Sequence, residues 1–386
     1  MDTEYDLLIK NGTLLDPGSN INQKADIATK GSRIAFIGKD SDNVKAKQVL
    51  DASDRLVTPG LIDLHVHIFW GVSHYGIDVD PTCLDKGVTT AVDAGSAGAW
   101  TFPALRRYII DVSATRLFAF LNISSPGMIS SEVGELEDIR HANVQKAIDM
   151  CEKNRDVILG VKVRLSKDLT GRNDREALKR ARDASDALGL PIMIHPPNAY
   201  TSIDEILSVM REGDILTHCY HGHAQGILDE AGKVRASVRK AVDRGILMDV
   251  GHGQGSFTFD VATKALEQEL LPNTISSDLH VYNVDGPVFD LATTVSKFVY
   301  LGMPLEQALE MCITRPAQFL KMQNEIGVLK VGAHADIAIF EFADGRFELV
   351  DCAGETRIGS KCLLPRGVIR GGRLVKSEED RLTCAC

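Results

Sequence analysis

Between residues 58 and 280 one pattern recurs eight times, and that recurrence limits the fold more than any other feature of the chain. The runs are PGLIDLHVH, GVTTAVDAG, TRLFAFLNIS, VILGVKVRLS, LPIMIHPPN, DILTHCYHG, GILMDVGHG and TISSDLH. They are short and rich in Val, Ile, Leu and Thr, as strands buried on both faces are. Amphipathic segments precede several of them: DREALKRARDASDALG, SIDEILSVMREG, VRASVRKAVDRG and FDVATKALEQEL. Eight strands alternating with helical segments over roughly 220 residues predict a (β/α)8 TIM barrel. An open doubly wound sheet is the competing arrangement. Against it, no G-x-G-x-x-G follows the first run, and polar residues end many strands instead of marking one switch point.

The flanking segments follow a different rule. Residues 1–57 read as short strands with tight turns (YDLLIKNGTLLDP, ADIATKGSRIAFIG, KQVLDASDRLVTPG), which predicts antiparallel β-structure. The same grammar returns from Gly327 to Lys376 in GVLKVGAHADIAIFEF, GRFELVDC and RGVIRGGRLVK. Neither segment alone can bury a core, so residues 1–57 and 327–386 are expected to form one small β-sandwich domain, with the barrel of residues 58–326 inserted between them.

A barrel gathers the C-terminal ends of its strands at one mouth, and six residues fall at those ends. His65 and His67 close the first strand, spaced i, i+2 so that both imidazoles share a face. Lys162 lies within the fourth, His195 ends the fifth, His218 the sixth and Asp278 the eighth. Taken singly, His195 before two prolines could serve a turn, His218 could be a satisfied core histidine and Asp278 an N-cap. Together they form a metal-ligating set. A lysine on a buried strand must be neutralised, paired or modified, and an ion pair with Asp278 is one outcome.

The ordered set resembles the amidohydrolase superfamily, in the subtype where a carboxylated lysine bridges two metals. The resemblance covers nearly the whole chain, from PGLIDLHVH to TRPAQFL, VGAHADIAIF and VIRGGRLV. It implies that His65, His67 and Asp278 hold one divalent ion, His195 and His218 the second, and an N6-carboxylated Lys162 both. Mixed His, carboxylate and carbamate ligation suits Zn2+, with Mn2+, Co2+ and Fe2+ also compatible. Two such ions acidify a bridging water, with Asp278 as general base, and the expected chemistry is amide or ester hydrolysis.

Within that superfamily, dihydroorotases look similar but carry an arginine just after H-x-H, where this chain has Ile68, Phe69 and Trp70. Lys162 departs from the mononuclear D-aminoacylase form. GHGQGSF and SSDLH bring the chain nearest to the amidohydrolase/deacetylase group often described as dihydroorotase-like, which implies deacylation of small N- or O-acylated carboxylates such as acylated amino or α-hydroxy acids. A cyclic-amide hydrolase of the dihydroorotase or hydantoinase type is the alternative, and a non-catalytic barrel assembly protein a third reading. For substrate contacts, Arg164 shares the face of Lys162 and could pair with a carboxylate, His252 sits in a glycine-rich loop, and Trp70, Tyr75 and Asn122 lie in rim segments. His221, His223 and His280 flank ligands and could orient them.

Composition narrows the partners. A formal net charge of −10, a pI of about 5.6 and no basic cluster interleaved with aromatics argue against nucleic acid. No apolar run reaches transmembrane length, and the acidic N-terminus lacks a leader pattern, so no membrane partner is expected. Eight cysteines without a C-x-x-C pair suit a reducing, cytoplasmic setting, Cys384 and Cys386 forming a C-x-C in the tail. A small-molecule substrate is expected, and the resemblance implies a homo-oligomer.

Overall fold

A computed structural model describes residues 4–39, 41 and 44–376 of the chain. Cys384 and Cys386 lie outside the described residues. Seven parallel strands are hydrogen-bonded in chain order: Leu61–Val66, Val88–Gly98, Arg116–Asn122, Ile158–Arg164, Ile192–His195, Ile215–Leu216 and Leu247–Met248. The eighth run makes one parallel bridge on each side, Asp249 with Thr274 and Val66 with Leu279. Bonds from Asp278 N to His65 O (2.7 Å) and His67 N to Leu279 O (3.0 Å) complete the closure. The fold is a (β/α)8 barrel whose last strand is irregular. Asp278, at φ 48°, leaves the extended conformation just where the strand should continue, a left-handed geometry that costs a non-glycine residue roughly 1–3 kcal/mol.

The amphipathic segments form helices Asp174–Leu188, Ile203–Val209, Ala236–Asp243 and Phe259–Glu267. In the first, Ala177, Leu178, Ala181, Ala184 and Leu188 repeat at helical spacing and are buried, and Gly189 ends the helix. These side chains pack on Val161, Val163, Ile192 and Ile194 in the main core. A separate cluster of Leu64, Val92, Ala94, Phe120, Met193 and Ile215 draws on five strands and none of those four helices, and so fills the barrel interior.

The terminal segments build two sheets. Tyr5–Lys10, Asp26–Lys30, Arg33–Gly38 and Ala46–Asp51 make a four-stranded one. A six-stranded one interleaves Thr13–Asp16, Ile21–Lys24 and Leu56–Pro59 with Ile337–Val350, Thr356–Arg370 and Arg373–Lys376. Leu7, Ile9 and Ile27 of the first meet Leu14, Val57, Ile337, Ile339 and Ile369 of the second in one core, a β-sandwich. Antiparallel pairing was expected throughout, yet Tyr5–Lys10 runs parallel to Ala46–Asp51, and Thr13–Asp16 to Leu56–Pro59. Both parallel pairs join strands distant in sequence, which leaves chain for the crossover that parallel strands need.

The two longest strands form a hairpin whose tip reaches back to the barrel. Asp351 Oδ2 accepts from Phe259 N at the start of a barrel helix, and Cys352 N donates to Phe257 O (3.0 Å). No helix among the described residues is long and apolar enough to cross a membrane.

Candidate metal centre

The first and eighth strands bring His65, His67 and Asp278 together, with one potential ligand atom from each lying within 4.8 Å of the others. Asp278 Oδ1 stands 3.3 Å from His65 Nε2 and 3.1 Å from His67 Nε2. Burial holds both imidazoles far below their ordinary titration range, His67 at about 3, so these contacts are not salt bridges. On the other side, the His195 and His218 ring centroids are 4.4 Å apart, and His218 is 5.0 Å from His65.

The surrounding chain fixes which nitrogen each imidazole offers. Thr217 Oγ1 donates to Asp249 Oδ2, so its bond with His65 Nδ1 (2.9 Å) has the imidazole as donor. Ser166 Oγ donates to Pro197 O and accepts from His195 Nε2 (3.0 Å), and Gly251 O accepts from His218 Nδ1 (2.7 Å). Three tautomers follow, each leaving a lone pair on the other nitrogen: Nε2 of His65 and His218, Nδ1 of His195. His67 Nδ1 is bonded to Ser96 Oγ (2.9 Å). Beneath the site, Asp63 accepts from the backbone N–H groups of His65 and Ser277, locking the first strand to the eighth.

A divalent cation fits these residues. His65 Nε2 directs a lone pair at a carboxylate oxygen, an approach that only a cation or a proton reconciles. Asp278 Oδ1 and Lys162 Nζ are both buried without a hydrogen-bond partner. Burial pushes the Asp278 carboxyl up to about 6 and the Lys162 amine down to about 7. Lys162 is seated close to the second strand because residue 95 is glycine: a Cβ there would lie 2.7 Å from Lys162 Cβ and Cγ.

The six residues border a cavity of about 440 Å3 at the mouth, walled also by Tyr75, Met128, Arg164, Asn198, Gln254 and His280. A larger cavity, about 640 Å3, opens where strands four to six begin, and two ion pairs lie in its lining, Arg182 with Asp214 and Arg211 with Asp186. The six candidate ligands border only the smaller one.

The structure separates the expected substrate contacts. Arg164 lines the cavity beneath Tyr75, its Cζ 5.2 Å from the ring centroid, while Nη1 donates to buried Glu135 Oε1 at 2.8 Å. The other three stand elsewhere. Asn122 is buried, and its amide donates to Gly95 O and Glu135 Oε2. Trp70 is 60% exposed in the turn after His67 and does not border the cavity. His252 is fully buried, its Nε2 accepting from Lys297 Nζ at 2.7 Å. Among the flanking histidines, His223 and His280 line the cavity and His221 does not. Sequence reasoning missed Asp63, Ser96, Glu135, Thr217 and Asp249. Asp63, two residues before His65 within a strand, carried the one usable signal.

Comparison with known proteins agrees on family and fold while the named activities differ. The sequence model of the Amidohydrolase family matches residues 56–375. A deacetylase of Brucella anthropi is 35% identical over 350 residues, covering 90% of this chain and 86% of that protein. A deacetylase of Agrobacterium fabrum is 34% identical, covering 96% and 91%. Among solved structures, one described as a dihydroorotase superposes with a TM-score of 0.88 at 33% identity, covering 96% of this chain and 97% of its own. Another, described as an adenine deaminase, superposes with a TM-score of 0.89 at 32% identity, covering 97% and 100%.

Proposed function

Because this chain belongs to the amidohydrolase family, we propose that it is a metal-dependent deacylase that removes acetyl and similar groups from small N- or O-acylated carboxylates, such as acylated amino or α-hydroxy acids. The observation that carries the chemistry is the meeting of neutral histidines, an unpaired buried amine and an unpaired carboxylate oxygen on one cavity wall. His65, His67 and Asp278 would hold one cation, His195 and His218 the other, and Lys162, as its N6-carboxylate, both. Bound there, two divalent ions, Zn2+ by the donor set, would supply an acidified water and a polarised acyl carbonyl.

The chain's own residues supply the rest. An amine titrating at about 7 is substantially neutral at physiological pH. Its lone pair can therefore add to CO2, forming the N–C bond as the amine gives its proton to solvent. Asp278, through Oδ2, accepts the proton released as water adds to the acyl carbon and passes it to the departing nitrogen or oxygen. Arg164, on the cavity wall, pairs with the substrate carboxylate. Deacylation is favoured by the two deacetylases, each matched over at least nine-tenths of this chain. Ring opening of a cyclic amide is the second reading, since Arg164 offers the guanidinium that the segment after His67 lacks.

In this reading residues 58–326 are the hydrolase barrel and residues 1–57 with 327–386 its sandwich companion, in a cytoplasmic homo-oligomer. Light scattering and cell fractionation test the last two points. The reaction is tested by incubating zinc-loaded protein with N-acetyl-D- and L-amino acids, O-acetyl α-hydroxy acids, dihydroorotate and a hydantoin, then identifying products. Acetate release with preference for one enantiomer is expected. Ring opening alone would replace this reading with the second.

A further inference from the structure

The loop after the seventh strand, GHGQGS at residues 251–256, touches the candidate centre along its length. Gly251 O accepts from His218 Nδ1 and so sets that imidazole. Gly253, at φ 57°, lies so close to Asp278 that a Cβ there would fall 2.3 Å from Oδ2. Gln254, Gly255 and Ser256 form part of the cavity wall. The one imidazole in this loop, however, points away from the cavity, stacked on Phe257 at a centroid distance of 4.6 Å.

Behind the loop lies a lysine that hydrolysis does not use. Lys297, on helix Leu291–Tyr300, is fully buried, and its Nζ donates to three acceptors: His252 Nε2 (2.7 Å), Pro287 O (2.8 Å) and Val350 O (2.7 Å). His252 Nδ1 donates to Gly253 O (2.9 Å), which fixes the tautomer that can accept from an ammonium. Three acceptors match the three protons of an ammonium group, so the buried charge is fully satisfied. One of the three, Val350, ends the long strand of the terminal sheet just before the hairpin tip, where Cys352 Sγ also lies 3.3 Å from Gly253 O.

We infer that Lys297 is a positioning residue: through His252 it pins the 251–256 loop to the tip of the C-terminal hairpin, and thereby sets Asp278 and His218 for hydrolysis. The small sandwich thus reaches the mouth of the barrel through Lys297, beside the direct contact of Cys352 Sγ with Gly253 O. Only the kinetic consequence rests on the deacylase reading.

The test compares Lys297→Met, His252→Phe and His252→Gln in the full-length zinc protein, using hydrogen exchange of the 251–256 amides, the rate of zinc loss to a chelator, and kcat against KM. His252→Phe keeps the stack on Phe257 but removes the acceptor, whereas the Gln Oε1 can accept from Lys297. Lys297→Met and His252→Phe are expected to raise exchange in the loop about tenfold while peptides from strands Leu61–Val66 and Ile192–His195 stay protected. Both should speed zinc loss and lower kcat by about ten- to a hundredfold with little change in KM, the scale of a small misplacement. His252→Gln should restore most of each. Should Lys297→Met fail to fold, His252→Phe carries the comparison. Unchanged loop exchange and zinc loss in folded His252→Phe would overturn the inference. Altered exchange and zinc loss in protein that hydrolyses no acylated carboxylate would instead overturn the deacylase reading and leave the latch standing.

Discussion

Lys162→Met separates what this lysine does for function from what it does for the fold. In metal-free, bicarbonate-free protein, Lys162 Nζ is a buried amine without a hydrogen-bond partner, an arrangement that costs about 1–3 kcal/mol. Charging it costs more: a fall from the ordinary lysine value of 10.5 to about 7 corresponds to roughly 5 kcal/mol against the ammonium form. The folded value lies below the unfolded one, so the unfolded chain binds the extra proton between them. This penalty is absent above 10.5, grows as pH falls towards 7 and is constant below. Methionine has similar length and no charge, and Lys162→Met is therefore expected to stabilise the metal-free protein. Urea denaturation at about pH 7.5 and pH 9.5 reads the effect, and the gain should be larger at the lower pH by about 2–3 kcal/mol. The same variant should lose metal and activity. A variant less stable than the parent, or a gain equal at both pH values, would refute the argument that Lys162 is strained until modified.

Asp278→Asn should leave the fold intact and lower turnover by about 10²- to 10⁴-fold, and unchanged steady-state rates would assign proton transfer to another group. Metal retention should weaken as pH falls through about 6, because Asp278 must be ionised to bind, whereas the buried histidines stay neutral to lower pH. Chelator competition at graded pH measures this, and retention unchanged between about pH 7 and pH 4 would contradict it. Arg164→Lys keeps the charge opposite Glu135 but loses the planar fork, so KM for a carboxylate substrate should rise about tenfold with kcat nearly unchanged. An unaltered KM would place the carboxylate elsewhere.

Much of the barrel was legible because its signal is local. Continuous apolar runs, helices such as Asp174–Leu188 with an apolar face, and polar residues at strand ends all follow from periodicity. The convergence of His65, His67, Lys162, His195, His218 and Asp278 on one cavity follows once the runs close into a ring. What stayed hidden depends on partners distant in sequence. His252 reads as a mobile loop residue because nothing nearby announces Lys297, forty-five positions on, or the carbonyl of Val350. Asn122 reads as a rim residue until Gly95 and Glu135 take its amide. Trp70 follows the ligand strand, but the turn after His67 carries it into solvent. The eighth strand was found by composition, while its irregularity reflects the backbone conformation at Asp278, which residue type does not reveal.

Everything proposed for catalysis depends on these six side chains forming one two-metal centre that cleaves acyl bonds. The most direct test titrates zinc into metal-free protein supplied with bicarbonate and measures, in each sample, bound metal per chain and acetate released from an O-acetyl α-hydroxy acid. Release is expected to climb until two zinc ions are bound per chain, and a Lys162→Ala variant is expected neither to bind the pair nor to release acetate. Full acetate release from metal-free protein, or from the Lys162→Ala variant, would contradict it.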